Sequence, residues 1–214
     1  MGHEFQFYSE AGLPVWTGIK ASNLRSLQNG IRRVSGSSIF YHVHHALLRR
    51  HFTAAEYMND FARWVWLYLN QPALAEKLAS IDPWDFTSVR QVREQLLEYL
   101  HTYVGEMETF FRVPERDEFQ FVELRSVVFP TGLRARDLRS FHDALQKVGL
   151  GSLFYHLVEA RLRLGRLSND FSEWLSEHLK EDELAERIND LSPYAYNLWQ
   201  IRDKIVEMIE ARLS

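Results

Sequence analysis

The chain has 214 residues, 46% of them hydrophobic and 14% aromatic, which is enough apolar material for one or two domains with a buried core. A formal net charge of −4 gives no electrostatic footprint for nucleic acid, and the lack of cysteine excludes disulfides, thiolate metal sites and cysteine nucleophiles. The start has neither the basic nor the apolar region of a signal peptide, and no apolar run approaches the roughly 18 residues of a membrane span, so a cytoplasmic location with no membrane contact is expected.

The elements come in an order that is stated twice. Thr17–Ser26 (TGIKASNLRS) returns 114 residues later as Thr131–Ser140 (TGLRARDLRS), and Ser38–Arg49 (SIFYHVHHALLR) returns at the same spacing as Ser152–Arg163 (SLFYHLVEARLR). Asn59–Trp64 (NDFARW) returns as Asn169–Trp174 (NDFSEW). The spacing predicts a tandem duplication, with copies over residues 4–104 and 118–214 and a polar, acidic join over 105–117.

Each copy opens on alternating aromatics, Phe5 and Phe7 or Phe119 and Phe121, that predict a short extended segment ending at Pro14 or Pro130, followed by a Thr-Gly turn. A first helix carries Leu24, Leu27, Ile31 and Val34, matched by Leu138, Phe141, Leu145 and Val148. On the second helix (37–51 and 151 to about 166), Ile39, His42, Val43, Ala46 and Arg50 share a face, as do Leu153, His156, Leu157, Ala160 and Leu164. A third helix is capped by Asn59 or Asn169, with Phe61, Trp64, Val65 and Tyr68, or Phe171, Trp174, Leu175 and His178, turned inward. Shorter helices stop before Pro83 and Pro193, and a long helix closes each copy. The expected fold is mainly α: two tandem, pseudo-twofold-related repeats of about five helices each.

The polar residues kept twice are Tyr41 and Tyr155, His42 and His156, Arg49 and Arg163, Asn59 and Asn169, and Asp60 and Asp170. One physical reason is structural: the histidine donates to the aspartate at the start of the next helix and locks the two together. A second is metal ligation. His45 and Glu159 follow the repeated histidines by three residues, so His42, His45, His156 and Glu159 would present three imidazoles and a carboxylate, a set suited to zinc, iron or manganese, if the helices face across the dyad. The paired Glu-x-x-His order of di-metal carboxylate bundles is absent. There is no phosphate loop, no G-x-S-x-G elbow and no H-E-x-x-H. Ser38 and Ser152, one turn before the histidines, read as helix caps. The aromatics Tyr41, Trp64, Trp66 and Trp84, with Tyr155, Trp174, Tyr194 and Trp199, could line a pocket for a sugar or another flat ligand, or fill the core. Lys20 and Arg134, with Arg25 and Arg139, could frame an anion beside the Thr-Gly turn, although solvated bases explain them as well.

On Thr17-Gly18, Phe40-Tyr41-His42 with His44-His45, Asn59-Asp60-Phe61 with Trp64, and Ile81-Asp82-Pro83, the chain resembles an uncharacterised bacterial and archaeal domain-of-unknown-function family whose members are often duplicated. The resemblance implies a mainly helical tandem domain without an established activity. The second copy departs from it by placing Val158 and Glu159 where the first has His44 and His45.

The expected function is a non-catalytic binding or regulatory role, with no cofactor and an unidentified protein or small-molecule partner held between the repeats by Tyr41, His42, Asp60, Trp64, Tyr155, His156, Asp170 and Trp174. The alternative is a metal-binding protein or metal-dependent enzyme built on the His/Glu set, with Asp60 or Asp170 orienting the ligands. Whether any reaction is catalysed, and the oligomeric state, stay open at this point.

Overall fold

The alternation of Phe5 and Phe7 is the buried start of a longer strand than the sequence predicts, β1 (Phe5–Ala21). A computed structural model describes residues 4–46, 57, 59–106, 112–192 and 196–214. Arg49, Arg50, His51, Pro193 and Tyr194 lie outside the described residues, as does part of the expected join.

After β1 come α1 (Leu24–Arg33), α2 (Gly36–Val43), α3 (Asp60–Leu69), α4 (Pro72–Ala79) and α5 (Val89–Glu106). Then follow β2 (Phe119–Ala135), α6 (Leu138–Leu145) and α7 (Leu150–Phe154), which runs through a π-turn (Tyr155–Glu159) into α8 (Ala160–Leu164). Next, α9 (Asp170–Trp174) ends in a second π-turn (Leu175–Leu179), before α10 (Asp182–Asn189) and α11 (Leu198–Leu213). None of the described helices is long and apolar enough to cross a membrane.

β1 and β2 pair into one two-stranded antiparallel sheet. This corrects the expectation of a mainly-α helical bundle: the strands are 17 residues each, not short extended segments. Pro14 and Pro130, which the sequence predicts as strand ends, lie inside them. In a two-stranded sheet each strand has one edge without a partner, where a proline that cannot donate costs no ladder bond. The Thr-Gly pairs are kinks inside the strands, with Gly18 at φ 76° and Gly132 at φ 82°, a left-handed conformation that glycine adopts without steric cost. The threonine hydroxyls fasten the kinks. Thr17 Oγ1 donates to the Phe121 carbonyl (2.8 Å) and accepts from Ile19 N–H (3.1 Å), while Thr131 Oγ1 donates to the Phe7 carbonyl (2.9 Å) and accepts from Leu133 N–H (3.2 Å).

The chain divides into two compact units, Gly12–Arg125 and Met1–Ala11 with Ser126–Ser214. Each strand therefore contributes to both units. In Gly12–Arg125, Leu24, Leu27 and Ile31 of α1, with Val34 at its end, are buried with Ile39 and Val43 of α2, Phe61 and Val65 of α3, Leu96 and Leu100 of α5, and Phe119 and Phe121 of β2. In the other unit, Leu138, Phe141, Leu145 and Val148 are buried with Phe5, Phe7, Phe171, Trp174, Ile201 and Ile205. Burying each such phenylalanine contributes about 1.5–3 kcal/mol. Tyr68, expected to face inward, is 41% exposed on α3.

The caps explain where the helices begin. Asn23 with Ser26, and Asp137 with Ser140, form reciprocal capping boxes at α1 and α6. Asn59 accepts from Ala62 N–H (2.9 Å) and donates to the Leu78 carbonyl (2.9 Å), so one side chain both caps α3 and ties it to α4. Asn169 caps α9 and reaches Asn189 of α10 (3.2 Å). Ser35, not Ser38, caps α2.

Candidate functional site

His42 lies on α2 and Asp60 opens α3, where the Asn59 cap fixes its direction. His42 Nδ1 is 2.8 Å from Asp60 Oδ2, and Nε2 accepts the N–H of Val122 in β2 at 3.0 Å. A backbone amide only donates, so Nε2 carries no proton; the proton sits on Nδ1 and is given to Asp60. The other unit repeats this arrangement. His156 Nδ1 meets Asp170 Oδ2 at 2.7 Å, and Nε2 accepts the N–H of Tyr8 in β1 at 2.9 Å. Burial holds the His156 pKa below the ordinary histidine value, against the raising influence of its hydrogen bond to Asp170. The structural hydrogen bond expected between the repeated histidine and aspartate is thus formed in both halves, and it also anchors a strand.

Aromatic rings close around each imidazole. Phe119 and Phe61 stand with centroids 4.8 and 5.4 Å from His42, and Phe5 and Phe171 stand 5.0 and 5.3 Å from His156. Tyr41 and Tyr155 set their edges against the same rings. The Asp–His geometry resembles the orienting half of a hydrolytic triad, but the Nε2 that would take a proton is already occupied by the backbone. The Ser38 and Ser152 hydroxyls neither cap their helices nor meet a hydrogen-bond partner among the described residues.

One side of the His42–Asp60 pair borders a cleft of about 240 Å³, lined by His42, Asp60, Arg63, Trp64, Leu67, Tyr68, Glu118, Phe119 and Gln120. Three of the expected ligand-binding residues meet there: His42, Asp60 and Trp64. Tyr41 does not line it. Trp64 is fixed by donation from Nε1 to the Asp117 carbonyl at 2.7 Å. Arg63, Glu118 and Gln120 were not singled out in the sequence, although the Phe-Gln-Phe triplet at 119–121 repeats residues 5–7 and was a signal for Gln120. Tyr155, His156, Asp170 and Trp174 gather in the other unit. There Arg163 lies over the Tyr155 ring (4.6 Å) and pairs with Asp170 (2.6 Å), leaving that carboxylate 15% exposed against 26% for Asp60.

Among the described residues, no group of three or more His, Cys, Asp or Glu side chains is placed to hold a metal ion. His42 and His156 already use both ring nitrogens, His45 stacks on Tyr41 (5.5 Å), and the Glu159 carboxyl faces that of Glu10. The bases near the Thr-Gly kinks are met by acids: Lys20 by Glu115 (3.5 Å) and Glu118 (3.6 Å), and Arg134 by Glu4 (3.1 Å). Arg136 adds a second contact to Glu4, and together the guanidiniums hold the Glu4 carboxyl below its usual pKa. His44, named in the sequence only for the resemblance, is buried. It is fully enclosed, stacks on Phe40 (5.3 Å), has no hydrogen-bond partner among the described residues, and burial pushes its pKa down to about 3.

The pattern of a family of unknown function (DUF5752) matches residues 2–210. The chain is similar in structure to OrfY from Thermoproteus tenax, with a TM-score of 0.82 and 36% sequence identity over 98% of this chain and 95% of that one. No curated protein is significantly similar to it.

Proposed function

We infer that this chain, which belongs to the family of unknown function DUF5752, is a non-catalytic binding protein that takes a small, flat, polar ligand in the cleft beside His42 and Asp60. The observation that carries this reading is the cleft itself, where Trp64, Tyr68 and Phe119 offer ring surface and Asp60, Arg63, Glu118 and Gln120 offer hydrogen bonds of both kinds. Its volume suits a ligand near the size of a monosaccharide, since drug-sized molecules use about 300–1,000 Å³. The fixed tautomer of His42 argues against catalysis, because base action would break the bond to Val122.

The reading includes an origin by tandem duplication, with repeats over residues 4–104 and 118–214 joined by 105–117, in keeping with the recurring sequence blocks and the two His–Asp pairs. A cytoplasmic location is in keeping with a chain that has no cysteine.

The test is a thermal-shift panel of monosaccharides, polyols and nucleosides on the wild type and on an Arg63→Ala/Tyr68→Ala variant, whose altered side chains are exposed on α3. A ligand at 100 times its Kd stabilises by about 2.7 kcal/mol, which is several degrees in Tm. At least one compound is expected to raise the Tm of the wild type and not of the variant. Equal shifts in both proteins, or none in either, would overturn the reading.

A further inference from the structure

Glu10, on β1, turns its carboxyl into the unit that contains α7. Both of its oxygens are shut away from solvent, and neither meets an N–H or hydroxyl donor among the described residues. The group it faces is the carboxyl of Glu159, the last residue of the π-turn. β1 is pressed close to this helix. A Cβ on Gly151 would stand 2.6 Å from the Glu10 carbonyl oxygen and 2.8 Å from Ser9 Oγ, so strand and helix have no room for a water layer at that point. Two ionised carboxylates in such contact repel strongly, whereas one proton between them makes a short hydrogen bond.

We propose that Glu159 is protonated and donates to the Glu10 carboxylate, and that this shared proton is a pH-sensitive latch holding β1 against α7. The other charged and titratable groups around it are already committed. Arg163, on α8, pairs with Asp170 at the start of α9 and covers Tyr155. His156 is bonded to Asp170 and to Tyr8 N–H, and the Tyr8 hydroxyl donates to Gln6. Burial and the neighbouring Glu10 carboxylate raise the Glu159 pKa to about 8, against the lowering influence of Arg163. When pH rises past that point, the proton leaves to solvent and two negative charges face each other beneath the strand.

The sign of the effect follows from linkage. A carboxyl whose folded pKa is raised stabilises most below its unfolded value near 4.5, and that contribution is lost as pH climbs to about 8. Each pH unit across the window shifts the folding constant by about tenfold. The experiment is urea denaturation of the full chain at pH 6.5 to 9, on the wild type, Glu159→Gln and Glu10→Gln. His142 loses stabilisation over the same range, but it is common to all three proteins and cancels in the difference. The wild type is expected to lose up to tenfold in folding constant per unit relative to Glu159→Gln between pH 6.5 and 8. Parallel curves would overturn the latch. Should either variant fail to fold, carbon-13 NMR of the wild-type glutamate carboxyls decides: one carboxyl titrating near pH 8 supports the latch, and all of them titrating below about 5.5 overturns it. A midpoint that drops on adding magnesium or calcium and returns with chelator would assign the pair to a cation and also overturn it.

Discussion

The two His–Asp pairs are nearly superposable in their bonds and unlike in their surroundings. Around His42, the aspartate stands at the border of a cleft with Arg63, Leu67 and Tyr68 on the same helix. Around His156, the corresponding positions are Glu173, Glu177 and His178, and Arg163 presses onto Asp170. The helix bearing His156 takes a π-turn at Tyr155–Glu159, a local widening often met near functional positions, whereas α2 is described as regular α-helix through Val43. Residues that recur hold a strand to a helix pair, and residues that differ set what each pair faces. The acid pair makes the same point. Glu10 and Glu159 correspond by sequence to Leu124 and His45. In place of Gly151 the other unit has Ser37, whose hydroxyl donates to the Leu124 carbonyl and accepts its N–H at 3.1 Å.

The most severe way to break the comparison is to remove the imidazoles. His42→Ala or His156→Ala strands a backbone amide and a carboxylate and opens a cavity among phenylalanines, with an expected loss of about 3 kcal/mol each in urea denaturation. His156→Ala should cost the more, because Asp170 is the less exposed carboxylate. Similar small losses from both would refute the anchoring role. A double change that replaces histidine by phenylalanine and its aspartate by asparagine should recover part of the loss.

A smaller effect separates the units by acid. His44 has no equivalent in the other half, where Val158 stands. Its folded pKa of about 3 lies below the unfolded value of 6.5, so the unfolded chain binds a proton that the folded unit refuses. Stability is therefore complete above pH 6.5 and falls by about 1.4 kcal/mol per pH unit on acidification towards 3. His44→Phe keeps the stacking on Phe40 and should flatten that acid limb between pH 6.5 and 4.5. An unchanged limb would mean that His44 is hydrated or partnered in solution.

The smallest expected change is at Ser38 and Ser152. Both hydroxyls are fully buried without a partner among the described residues, and alanine removes the unsatisfied group without adding volume. Stability should stay level or rise by up to about 1 kcal/mol, measured as Tm. A loss above that would point to a bonded water at one of the two positions.

What could be read beforehand follows from these differences. The His–Asp bonds were legible because the same residues recur at helical spacing, and the caps because Asn59 and Asn169 precede acidic, aromatic helix starts. The apolar faces of α1 and α6 were legible from their period. The sheet was not, because its exposed middle lacks alternation and carries Pro14 and Pro130, which ordinarily end a strand. Tyr68 departs from its predicted inward direction because periodicity counts an aromatic ring as inward even where, as at a cleft rim, solvent meets it. Glu10 escaped notice for the opposite reason to the histidines: it has no echo in the other half, and only tertiary contact brings it to Glu159.

The division of the two strands bears on how the polypeptide matures. Phe5 and Phe7 leave the ribosome more than 130 residues ahead of their packing partners Phe141, Phe171 and Trp174. The α1–α5 segment likewise waits for Phe119 and Phe121 before its core is filled. At about 5–20 residues per second, the Phe5 and Phe7 rings stay uncovered for several seconds during synthesis, and a nascent-chain chaperone has its clearest opportunity there.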